Sequence, residues 1–75
     1  METLKVGIIG VGGIAQNRHI PALKKLDHLV EIVGVQDINY ELSQQVASEH
    51  KIPRVFQEYK DMFEVVDAVI NLYTK

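Results

Sequence analysis

The 75-residue chain contains no cysteine and no tryptophan, only two prolines, and five aromatic residues in all. Without cysteine there is neither a disulfide framework nor a thiolate metal site. Neither sign of charge dominates: eight basic residues face ten acidic ones, a formal charge of −2. Both signs are scattered, whereas a nucleic-acid surface needs a clustered basic face. No apolar run approaches the length of a membrane span. The opening METLKVGIIG is too short and too broken by glycine to serve as a signal-peptide core. A cytoplasmic protein, bound neither to nucleic acid nor to membrane, is the expectation. No grouping of histidines and carboxylates stands out at ligand spacing, so no metal is expected. Repeats, low-complexity tracts and internal linkers are missing as well.

What is present is a folded globule's share of hydrophobic residues, 47%. The size allows one domain at most, and chains this short bury only about 60% of the surface they expose when unfolded. Residues 5–10, KVGIIG, form a short run rich in Val and Ile with glycine at its exit. Such a run reads as a strand buried on both faces, the parallel-sheet kind. Gly12 and Gly13 open a helical segment reaching to about Asp27, with a kink or local irregularity expected at Pro21, which lacks a backbone donor. Residues 30–35, VEIVGV, form a second strand. Asn39 is placed to cap a helix from Tyr40 to His50 with Leu42, Val46 and Ala47 on its packed side. Residues 54–56 allow a short third strand, 58–64 a turn or two of helix, and 67–73 (DAVINLY) a fourth strand. The alternation β-α-β-α-β-α-β predicts an α/β fold with a parallel sheet and right-handed crossovers.

Residues 10–15, GVGGIA, match G-x-G-x-x-A, the small-residue form of the dinucleotide fingerprint. Gly10 turns the chain sharply off the strand. Gly12, without a Cβ, lets the main chain approach a diphosphate. Ala15 keeps the helix close to the sheet. The amides at the helix start then face the phosphates, and no basic side chain is needed. A glycine triplet alone is a weak signal, but an acid at the end of the next strand strengthens it. Asp37 stands 22 residues after Ala15, near the expected offset of about 20. Its carboxylate accepts from ribose hydroxyls, and Ile38 and Asn39 bring no positive charge for a 2′-phosphate. NAD(H) is favoured over NADP(H). The bland alternative is that Asp37 only caps the following helix.

Taken together, KVGIIGVGGIAQNRHIPAL, VEIVGVQD and VFQEYKDMFEVVDAVI resemble the N-terminal domain of the Gfo/Idh/MocA oxidoreductases, the glucose–fructose oxidoreductase and inositol dehydrogenase family. The resemblance implies a Rossmann-type doubly wound sheet of which this chain supplies the strand order 3-2-1-4. It also implies an oxidoreductase that uses NAD or NADP on sugars and related polyols. Under it, Gly10, Gly12, Gly13 and Ile14 line the diphosphate and Asp37 holds the adenosine ribose. The family's Thr-Pro-Asn-like turn after the fourth strand is replaced by Leu72-Tyr73-Thr74-Lys75. Its Glu-Lys-Pro motif and substrate domain have no counterpart, so no catalytic residue is named. Residues 1–75 read as a partial dinucleotide-binding domain, not catalytically complete as given.

Other residues have simpler readings. His19 falls on the line Ala15–His19–Ala22–Leu26, expected to face the sheet, where a lone histidine is a packing residue more often than an acid–base group. His28 and His50 follow helix ends. Tyr59, Met62 and Phe63 read as core of the third crossover, while Tyr73 ends the fourth strand on the ligand side. The fourth strand would present an open edge, and such edges recruit other chains, so self-association through that edge or the bare sheet face is expected. A non-enzymatic nucleotide-sensing or oligomerising module is the competing function. Coding sequence beyond Lys75 for a substrate domain would decide between the two.

Overall fold

The computed structural model describes residues 3–13 and 15–72; Ile14 and Tyr73, both singled out above, lie outside the described residues. Four parallel strands, β1 (Leu4–Ile9), β2 (Val30–Gln36), β3 (Arg54–Phe56) and β4 (Ala68–Asn71), form one sheet in the order β3-β2-β1-β4. Each crossover carries helix: a π-helical turn (Ala15–His19) running into α1 (Ile20–Lys24), then α2 (Tyr40–His50), then α3 (Tyr59–Met62). This is the expected Rossmann-like α/β arrangement.

The two faces of the sheet are read directly from the pleat, because successive side chains point to opposite sides. Ile8 joins Val11, Ile20, Val35, Val46 and Ala47 in the larger core, under α1 and α2. Its neighbour Ile9 joins Phe56 and Met62 in the smaller one, under α3. The chain therefore crosses to the other face between β3 and β4. A register shift between Val6 and Gly7 pairs Val6 with Ile32 but Gly7 with Gly34, leaving Val33 as an extra residue in β2. That bulge places Ile32 and Val35, three residues apart, in the same core. Met62, fully buried, lies against β1 where Gly7 has no side chain; a Cβ there would overlap its Sδ and Cγ.

The first crossover departs from the expected helix. Its buried line is Ala15 and Ile20, five residues apart, with Leu23 half-buried behind them. Ala22 and Leu26 are exposed and His19 is half-buried, so the line Ala15–His19–Ala22–Leu26 does not face the sheet. The reason is the π-turn, which adds one residue per turn and rotates everything after it. Pro21 sits at the first positions of α1, where its missing donor costs least. In an uninterrupted α-helix its ring would collide with the carbonyl four residues back. Regular helix ends at Lys24, about three residues short of the expected boundary.

The second helix matches its expected bounds. The Asn39 side chain accepts from the Leu42 amide at 3.1 Å, so Asn39 is the N-cap. At the other end Lys51 takes up the left-handed conformation with φ of 58°, and the Ile52 amide donates to the Ala47 carbonyl. Strand β4 is shorter than expected, but its pairing with β1 is extended by the Asp67 amide on the Lys5 carbonyl and the Leu72 amide on the Ile9 carbonyl. No helix among the described residues is long and apolar enough to cross a membrane.

Candidate functional site: the glycine loop and the end of β2

Ile9, Gln36 and Asn71 lie side by side in register at the C-terminal ends of β1, β2 and β4. The chain leaves β1 here, between a crossover on one face and a crossover on the other. Open α/β sheets bind their ligands at such a point. Gly10 has φ of 90°, a conformation that disfavours any side chain, so glycine is needed there for the turn itself.

Among the described residues, four hydrogen bonds hold the loop that follows. The Gly10 amide donates to the Gln36 carbonyl at 2.7 Å. The Val11 amide donates to Asp37 Oδ2 at 2.8 Å, across 26 residues of sequence. The Val11 carbonyl accepts from Gln16 Nε2 at 2.9 Å, and the Gly12 carbonyl accepts from the Gln16 amide at 3.1 Å. None of the four uses the N–H of Gly12 or Gly13. Both of these glycines are exposed, neither has a positive φ, and a Cβ built on either would meet nothing within 4 Å among the described residues. Neither backbone strain nor internal packing requires glycine at 12 or 13. The missing side chains leave bare main chain open to the outside.

Asp37 is half-buried. Besides the Val11 amide it accepts the Asn39 amide on Oδ1 at 2.9 Å. The cap of α2 is Asn39, so Asp37 is not the helix's own N-cap; it ties the end of β2 to the glycine loop. A carboxylate has about four acceptor sites, and two amides leave others for a ligand. The sequence placed Gly10, Gly12, Gly13 and Asp37 in one site, and the structure brings these four together. Gln16 was missed. Its signal would have been a long polar side chain one residue after the fingerprint's alanine, which periodicity does not weigh.

An open cleft of about 760 Å³ adjoins Asp37 on the α3 face, lined by Ile9, Gln36, Ile38, Tyr59, Phe63 and Asn71. Ile38 is 86% exposed, and Tyr59 and Phe63 are exposed beside it with their rings 5.7 Å apart. Of the three residues assigned to the third crossover's core, only Met62 is buried. Gln36 is buried at the cleft floor, and its Nε2 donates to the Gln57 carbonyl at 3.2 Å, joining β2 to the segment before α3. No cluster of metal-ligating side chains occurs among the described residues.

Comparison with known proteins agrees with this geometry. A family model described as an oxidoreductase family with an NAD-binding Rossmann fold, GFO_IDH_MocA, matches residues 4–72. An oxidoreductase from Thermotoga maritima shares 37% identity over 91% of this chain with a TM-score of 0.85. UDP-N-acetylglucosamine 3-dehydrogenase from Acidithiobacillus ferrooxidans shares 28% over 99%, TM-score 0.76. The myo-inositol dehydrogenase from Lactobacillus casei, solved with NAD(H) and myo-inositol, shares 26% over 95%, TM-score 0.83. In each case the chain spans less than a quarter of the solved protein's length: 22%, 23% and 22%. Among curated proteins none matches.

Proposed function

This chain belongs to the Gfo/Idh/MocA oxidoreductase family, in its NAD-binding Rossmann portion, and from that premise we propose that Gly10, Gly12, Gly13, Ile14 and Asp37 hold NAD(H) for the oxidation or reduction of a sugar or polyol. The reading rests above all on the bare main chain at Gly12 and Gly13, which neither strain nor packing explains. An anionic diphosphate laid against those amides needs both the absent side chains and the N–H groups that the loop's own hydrogen bonds leave alone. Asp37 then accepts from the adenosine ribose, and the apolar face of Ile38 in the adjoining cleft takes the adenine ring. A 2′-phosphate at Asp37 would set two anions together, which favours NAD(H) over NADP(H).

When bound, the nicotinamide supplies hydride transfer. The residues of this chain bind and orient the cofactor, and no catalytic role is assigned to any of them. Inositol and a UDP-sugar are handled by the relatives named above, which supports the polyol and sugar class. We further propose that residues 1–75 act as part of a dinucleotide domain in the cytoplasm. Self-association there would run through the outer edge of β4, a strand that among the described residues pairs only with β1.

The test is a titration with NADH followed by fluorescence and calorimetry. Gly12→Val is expected to fold, since a Cβ at that position meets no described atom within 4 Å, and to lose NADH binding by steric block. Undiminished binding in that variant would remove the site assignment. Tighter binding of NADPH than of NADH would remove the cofactor preference.

A further inference from the structure

Gln16 reaches the glycine loop twice. Its side-chain amide donates to the Val11 carbonyl and its main-chain amide donates to the Gly12 carbonyl. Two successive carbonyls of the loop are thereby drawn towards one residue. In a trans peptide the C=O and N–H point in opposite directions, and no cis peptide occurs among the described residues. With both carbonyls turned to Gln16, the N–H groups of Gly12 and Gly13 must turn away from it. The main-chain half of this arrangement would survive any substitution at position 16 that keeps the backbone N–H, that is, any but proline. The side-chain half depends on a donor of glutamine's length.

Without that donor, nothing described holds the Val11–Gly12 peptide on its carbonyl side. Glycine at position 12 removes the steric barrier that would otherwise resist rotation of that unit. A rotated peptide would present a carbonyl oxygen where an anion has to lie. Asp37 holds the other end of Val11, through its N–H, and so fixes the preceding peptide rather than this one.

We propose that Gln16 is a positioning residue for the diphosphate of the dinucleotide, setting the direction of the Gly12 amide through its hydrogen bond to the Val11 carbonyl. This rests on the NAD(H) reading of the site. Gln16 touches no part of the ligand itself; its effect is confined to the phosphate-facing peptide, and adenosine recognition at Asp37 is independent of it.

The experiment compares the full 75-residue chain with Gln16→Met, close in length but without a donor, in titrations with NADH, ADP and adenosine followed by amide NMR shifts. Gln16→Met is expected to weaken NADH and ADP about fivefold, the equilibrium weight of one neutral hydrogen bond, and to leave adenosine unchanged. The spectrum reports folding directly, and Gln16→Leu repeats the comparison should the methionine variant not fold. Equal affinity for ADP in variant and wild type would overturn the Gln16 role alone. Equal weakening of ADP and adenosine would also overturn it, since that marks general loosening rather than aim. Wild-type chain that binds none of the three ligands would overturn the dinucleotide reading, and the Gln16 role with it.

Discussion

Replacing Asp37 with asparagine tests the tie between the end of β2 and the glycine loop. Both carboxylate oxygens are in use: Oδ2 takes the Val11 amide at 2.8 Å and Oδ1 takes the Asn39 amide at 2.9 Å. An asparagine offers one accepting oxygen and one donating nitrogen, so one of the two amides faces another donor and its bond is lost. The surviving bond drops from charge-assisted to neutral. Hydrogen bonds to charged groups contribute about 1.5–3 kcal/mol and neutral ones about 0.5–1.5, and the half-buried position keeps the sum toward the low end. A loss of about 1–2 kcal/mol follows. For a domain of this size that lowers the melting temperature by about 5–15 °C, read by circular dichroism. In NADH titrations at low temperature, where the variant stays folded, the ribose loses a charged acceptor and affinity falls about tenfold. An unchanged melting temperature would refute the claim that Asp37 holds the loop in the free protein. Unchanged NADH affinity in a folded variant would refute its place at the ribose.

Gly7→Ala puts a methyl group onto the thioether of Met62 and should cost about 1–3 kcal/mol in urea unfolding through overpacking. Gly12→Val should change stability by less than about 1 kcal/mol while abolishing NADH binding, separating the two kinds of glycine in one protein. Lys51 holds a left-handed conformation at the end of α2, so Lys51→Gly should raise the melting temperature by a few degrees, worth about 0.5–1 kcal/mol. Light scattering at micromolar concentration should show a dimer or larger assembly; a monodisperse wild-type monomer would dispose of the β4-edge proposal.

Most of the fold was legible in the sequence because each element announces itself locally. The Val- and Ile-rich runs, the Asn39 cap and the alternation of strand and helix depend on neighbours a few residues away, and they place β1, β2, β3 and α2 to within a residue. The parallel sheet then follows, since short crossovers between buried strands allow little else. The fingerprint singled out Gly10, Gly12, Gly13 and Asp37 as candidates by the same route, as a spacing.

Tertiary structure decided which way side chains point. The π-turn before Pro21 moved the buried line of the first crossover from His19 to Ile20, because one inserted residue rotates the helix while leaving its hydrophobic pattern looking intact. The bulge at Val33 did the same for β2. The hold of Asp37 on Val11 spans 26 residues, and no periodicity encodes a bond between the end of one strand and the turn after another. That bond exists only once β1 and β2 lie in register.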